Sequence, residues 1–195
     1  IYNQKVQTTF SKTSGNVTFK VQYPENITCG MPTTFKLSSE GTTDKVQYAL
    51  YSLTTEDGTI VYDTSYGSNG KFFSKDSFDF TFYASGTYYI RFAIMDTGVS
   101  PYVWFNTGLY GIKLVIDDKG YPTVENVVAD LKAQCEKTCT TDYEKAVWFN
   151  DWLVENCRYD FSYSYCAPEG ALARGLGTCE AYHRAYVMLL NSVGI

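Results

Sequence analysis

Two hydrophobic periods divide the chain. Up to about residue 117 apolar and polar side chains alternate, as in Val6-Gln7-Thr8-Thr9-Phe10, Val17-Thr18-Phe19-Lys20-Val21-Gln22-Tyr23, Val46-Gln47-Tyr48-Ala49-Leu50-Tyr51 and Phe78-Asp79-Phe80-Thr81-Phe82. Successive side chains of a strand point to opposite faces, so this period of two predicts strands buried on one side. Tyr88-Tyr89-Ile90-Arg91-Phe92-Ala93-Ile94 is the strongest of them, and Ile112-Lys113-Leu114-Val115-Ile116 closes the series. Turn-forming residues lie between: Ser14-Gly15-Asn16, Cys29-Gly30-Met31-Pro32, Glu56-Asp57-Gly58 and Ser85-Gly86. Asp57-Gly58, set between Tyr51-Ser52-Leu53 and Ile60-Val61-Tyr62, predicts a hairpin.

About eight short strands at this spacing predict an all-β, immunoglobulin-like sandwich over residues 1–117. Asp-rich turn chemistry, Gly120 and Pro122 then mark a linker over residues 118–122, and the period becomes helical over 123–195. Thr123 is placed to cap a first helix whose Val127, Val128, Leu131 and Cys135 form one stripe. Thr141-Asp142-Tyr143-Glu144 reads as a capping box, each end satisfying an orphan N–H of the other. The helix it starts runs to Asn156-Cys157, with Ala146, Phe149, Leu153 and Cys157 on one face and Trp148 and Trp152 beside it. A stripe that wide is core rather than a ligand site. Arg158-Tyr159-Asp160 leaves this helix, and residues 168–173 read as a short helix. The last helix runs from Cys179 to about Val193, burying Tyr182, Ala185, Tyr186, Leu189 and Val193, with Gly194 as its stop.

Composition narrows the partners. Only 19% of residues are charged, against 18 tyrosines and 12 phenylalanines, aromatics that suit pleated sheet. A net charge of −5 argues against a nucleic-acid partner, since phosphate binding needs a basic face. No apolar run has the length of a transmembrane segment. The weakly charged, Tyr- and Thr-rich composition is associated with an exported protein, extracellular or at the cell surface. The chain opens on Ile1, so either a leader has been removed or the sequence starts inside a longer protein. Tyr102, Trp104 and Phe105 after Ser100-Pro101 are candidates to stack on a sugar, although a strand with one buried face is the simpler reading. Asn16-Val17-Thr18 and Asn26-Ile27-Thr28 match the glycosylation sequon, a frequent chance pattern. The cysteines at 29, 135, 139, 157, 166 and 179 lack zinc-site spacing. A bridge from Cys135 or Cys139 to Cys157 or Cys166, and buried free thiols, both stay open.

Candidate chemistry is concentrated in Gly175-Leu176-Gly177-Thr178-Cys179-Glu180-Ala181-Tyr182-His183-Arg184-Ala185-Tyr186. Two glycines let the backbone bend, and Thr178 stands where an N-cap stands. Cys179 then falls on the first turn of a helix, where the macrodipole and unpaired N–H groups favour the thiolate, the nucleophilic form. Cys179 is therefore the candidate catalytic nucleophile. His183, one turn later, would lean back toward the thiol, but an exposed helix histidine is the plainer reading.

These residues resemble the transglutaminase-like superfamily, whose core is related to papain-type cysteine proteases. Lys145-Ala146 and Trp152, Asn156, Tyr159-Asp160, Ala171-Leu172, Gly175-x-Gly177-x-Cys179-x-x-Tyr182 and Leu189-Leu190 to Gly194-Ile195 carry the resemblance, over about residues 125–195. It implies the helical half of an α+β domain, and acyl transfer on protein or peptide amides, cell-wall peptide included, through a Cys179 thioester. The Cys179 N–H would be one oxyanion-hole donor. It implies no metal or organic cofactor. The family's His and Asp lie on strands beyond the cysteine helix, so the 195 residues are expected to be an inactive fragment of a longer protein. The competing class is a non-catalytic surface or adhesion module, in which the helical half is a scaffold and the sandwich binds a ligand. A buried structural cysteine would make Cys179 inert.

Overall fold

The computed structural model describes residues 7–63, 74–108 and 111–195. Val6, the first residue of the predicted opening strand, lies outside them. Alternation becomes two antiparallel sheets. In the first, β1 (Gln7–Ser14) and β2 (Val17–Pro24) form a hairpin, β2 pairs β3 (Pro32–Glu40), and β3 pairs β6 (Ser77–Thr81). In the second, β5 (Ile60–Asp63), β4 (Val46–Thr55) and β7 (Gly86–Asp96) lie side by side. The far edge of β7 is shared by β8 (Val103–Asn106), opposite Ala93–Asp96, and β9 (Ile112–Ile116), opposite Gly86–Ile90.

The predicted strands are present, and one more. β3 was hidden because Cys29–Pro32 reads as a turn and proline opens the strand, although Thr33, Phe35 and Leu37 do alternate inward. Phe19, Val21, Phe35 and Leu37 of one sheet and Leu53, Ile90, Phe92 and Ile94 of the other are fully buried or nearly so in one core. Phe35 and Phe92 meet across the sheets with ring centroids 5.3 Å apart. The predicted hairpin at Asp57-Gly58 joins β4 to β5, with Gly58 at φ 85°. Residues 117–123 are stitched down: Asp118 accepts from the N–H of Cys29 at 3.0 Å and of Gly120 at 3.0 Å, and exchanges two bonds with Ser85.

Three helices follow. α1 (Val124–Cys135) is capped by Thr123, whose hydroxyl accepts from Asn126. α2 (Asp142–Asn156) carries the predicted capping box, and the N–H groups of Thr140 and Thr141 that Glu144 accepts hold its carboxyl down to about 2. α3 spans Cys179–Ser192. Val128, Leu131 and Cys135, Phe149 and Leu153, and Ala181, Ala185 and Leu189 form a second core, the alanines letting the helices approach closely. Tyr182, Tyr186 and Val193 are only partly buried against it. The short helix expected over 168–173 is a π-helical turn, Gly170–Arg174. No helix among the described residues is long and apolar enough to cross a membrane.

The helical part is riveted to the β part. Tyr165 and Ala167 pack on the sandwich core, and Asp63 donates its N–H to Ser164 C=O at 3.0 Å. The Arg174 guanidinium lies 4.4 Å from the Tyr165 ring centre, 4.8 Å from Tyr83 and 5.0 Å from Phe80. Glu169 pairs with it through Nη2 at 3.2 Å and Nε at 3.4 Å, and the two side chains are only 7% and 4% exposed. Burial pushes the Glu169 carboxyl up against the opposing pull of Arg174. Breaking a buried pair strands one charge, so Arg174→Ala should cost about 3–5 kcal/mol of unfolding free energy by urea titration. Arg174→Met with Glu169→Leu should recover most of that loss, because neither charge is then left unpaired.

Candidate active site

Cys179 owes its position to the chain that leaves α2. Arg158–Tyr159 (β10) runs parallel to Leu176–Gly177 (β11), the two residues that lead through Thr178 to the cysteine. Arg158 donates to Gly175 C=O at 3.0 Å, Asp160 to Gly177 C=O at 2.9 Å, and Thr178 to Tyr165 C=O at 2.9 Å. Both ends of the 159–165 loop are thus bonded to the strand that delivers the thiol. The two glycines serve different needs. Gly175 closes the π-helical turn in the left-handed region, at φ 70°, which favours glycine. Gly177 is needed for space, since a Cβ there would stand 2.7 Å from Ala181 Cβ and push α3 away.

The thiol is exposed on the first residue of a 14-residue helix. Thr178 holds the N-cap position with extended backbone, but its hydroxyl makes no capping bond; it is buried and without a partner. The expected cap is therefore a matter of backbone alone, and no side chain claims the first-turn amides through Thr178. All six cysteines are free, which decides the alternatives that spacing left open. Burial pushes the thiols of Cys29 and Cys135 up to about 11 and raises that of Cys157. His183 is exposed on α3, and no hydrogen bond joins it to Cys179 among the described residues.

Two neighbours were not singled out by sequence reasoning except as part of a motif. Asp160 is buried and accepts from Ser162 N–H at 2.9 Å, Ser162 Oγ at 2.6 Å, Ser164 N–H at 2.8 Å and Tyr165 N–H at 2.9 Å. Burial raises its carboxyl, but these bonds outweigh it and hold the group below the usual carboxylate range. The loop is wrapped around this carboxylate and turns Tyr159, Phe161 and Tyr163 outward. Phe161 is 81% exposed, and Tyr159 lies 5.0 Å from it, ring centre to ring centre. The Tyr159 phenol feels the Cys179 thiol, which is the main cause that raises its pKa, followed by burial. Twenty residues of separation hide this influence from any local pattern.

With the geometry in hand, comparison with known proteins is specific. A core-domain family model described as the transglutaminase-like superfamily matches residues 129–195, from within α1 to three residues past α3. That segment is therefore similar to the transglutaminase-like core, a family of the general cysteine acyl-transfer type. The β part lies outside the match. Comparison with curated proteins and with solved structures gave no match in either.

Two outcomes follow from the geometry. Limited iodoacetamide at pH 8 should label Cys179 first, Cys139 and Cys166 later, and Cys29, Cys135 and Cys157 last, as read by peptide mass mapping. Asp160→Ala should cost at least about 3 kcal/mol, since each charge-assisted bond lost is worth roughly 1.5–3 kcal/mol and buried N–H groups are orphaned. Asp160 is depressed in the fold, so its contribution is present above the unfolded value near 3.9 and is lost as pH falls through the folded value. The wild-type advantage over Asp160→Ala in urea titrations should therefore shrink below about pH 4.

Proposed function

We propose that the helical part supplies the nucleophile, Cys179, for acyl transfer on protein or peptide amides through a thioester. The observation that carries this reading is the exposed thiol at the start of α3, within the segment matched by the transglutaminase-like model. In the step envisaged, the Cys179 thiolate attacks the amide carbon and the carbonyl electrons move to oxygen. Collapse of that intermediate breaks the C–N bond, and the amine leaves after taking up a proton. An amine or water then attacks the thioester carbon and releases Sγ. A proton relay is needed for the amine to leave. The exposed His183, on the same helix as the thiol, is not placed across a cleft from it as such a base must be.

For the β part we favour an immunoglobulin-like reading. Its chain crosses between sheets at β3–β4, β5–β6 and β6–β7, which supports a Greek-key arrangement over a plain meander. We read the change of period at 118–122 as the boundary between the parts, and the weakly charged surface as that of an extracellular or cell-surface protein. The adhesion reading keeps one specific support, the exposure of Tyr102 (63%) and Trp104 (50%) beside the buried Phe105.

An activated ester tests the thioester step by itself, because nitrophenolate leaves without needing a proton. With p-nitrophenyl acetate and an amine acceptor, Cys179→Ala should lower the rate of ester consumption at least about fivefold. An undiminished rate in that variant would remove Cys179 from the chemistry.

A further inference from the structure

We propose that the cleft between β6 and the turn ending at Arg174 binds a neutral sugar. The site is separate from the thiol, and the inference does not rest on the acyl-transfer reading. Both parts of the chain build its walls: Tyr62, Asp79 and Tyr83 from the β part, and Tyr165, Arg174 and Leu176 from the helical part. The cavity they line measures about 390 Å³, near the lower end of the range for small-molecule clefts and ample for a sugar ring.

The polar groups here exceed what the fold consumes. Glu169 accepts from Nε and Nη2 of Arg174, and no hydrogen bond to Nη1 is present among the described residues. With only 7% of its side chain exposed, Arg174 meets solvent where it lines the cavity. Nor does a hydrogen bond join the phenol oxygens of Tyr62, Tyr83 or Tyr165 to another described residue. Burial raises the phenols of Tyr62 and Tyr165, so both keep their protons as donors. Asp79 adds an acceptor: the Thr34 hydroxyl donates to its Oδ1 at 2.6 Å, and Oδ2 is left over. A joint between the two parts explains the caged ion pair. It does not explain three phenols and a guanidinium nitrogen left open around a hollow.

Charge selects among ligands. One cation, Arg174, stands against two carboxylates, Glu169 and Asp79, so an anion would add to an excess of negative charge. A cation would face the guanidinium, which already covers the rings of Tyr165, Tyr83 and Phe80 at 4.4–5.0 Å. A neutral polyol meets neither penalty. Its hydroxyls donate to Asp79 and accept from Nη1 and the phenols. The apolar C–H face of a sugar ring needs an aromatic surface. Tyr62, with its ring centre 5.4 Å from that of Tyr165, offers one that Arg174 does not cover.

Saturation-transfer NMR on the 195-residue chain tests the site, with glucose, galactose, mannose, xylose and N-acetylglucosamine as probes at millimolar concentration. Saturation should pass to the ring protons of at least one sugar. In titrations with that sugar, Asp79→Asn and Tyr83→Phe should each weaken binding at least about threefold, and the double variant at least about tenfold. Trp104→Ala, on the exposed face of β8, should leave binding within about twofold. Protection of Cys29, Cys135 and Cys157 from iodoacetamide reports that each variant is folded. Asp79 is exposed, so Asp79→Asn carries the test alone if Tyr83→Phe loses that protection.

Absence of transfer to every one of these sugars would overturn the proposal. So would binding that the cleft variants leave intact, and its loss in Trp104→Ala would then move the sugar to β8. Tighter binding of acetate or methylammonium than of any sugar would overturn it as well, because the cleft would then select an ion.

Discussion

The two-residue parallel pairing of Arg158–Tyr159 with Leu176–Gly177 is the constraint on which the candidate site depends. Three main-chain hydrogen bonds link the exit of α2 to the entry of α3, and they fix where the helix carrying Cys179 begins. A parallel pair this short is weak by itself. Its strength is borrowed from both sides. On one, the buried Asp160 carboxylate organises the loop that follows β10. On the other, Gly177 allows Ala181 to pack against the strand, which presses the first turn of α3 onto the pairing.

The β part contributes to this site at a distance. Arg174 ends the turn that leads into β11, and its guanidinium is caged by Phe80 and Tyr83 of the sandwich and by Tyr165 of the loop. The same side chain pairs with Glu169. One buried cation therefore touches the sandwich, the aromatic loop and the turn before Cys179. That accounts for the presence of a costly buried ion pair in a place where apolar side chains would pack more cheaply.

Much of this was legible locally. The capping box at Thr141–Glu144 gave the start of α2, because both partners lie within one turn and compete with nothing else. Alternation gave β9 to the residue, since Ile112, Leu114 and Ile116 point inward against a polar Lys113. Cys179 at a helix start followed from the glycines before it and the spacing after it. What stayed hidden depends on tertiary contacts. Thr178 has the sequence of a cap, but the fold buries its hydroxyl away from the first-turn amides. Arg174 looks like an ordinary surface cation until Phe80, some ninety positions earlier, is folded against it. Tyr159 comes beside Gly177, two residues before Cys179, only because two strands of two residues each lie side by side.

The central claim is that this architecture makes Cys179, among six free thiols, the acyl-accepting atom. Rapid-quench mass mapping after exposure to a limiting amount of p-nitrophenyl acetate tests it within a single molecule, with the half-buried Cys139 and Cys166 as internal references. The account predicts a hydroxylamine-labile acetyl group accumulating on Cys179 at least about tenfold faster than on either reference. Equal accumulation on the three thiols, or preference for another cysteine, would contradict it.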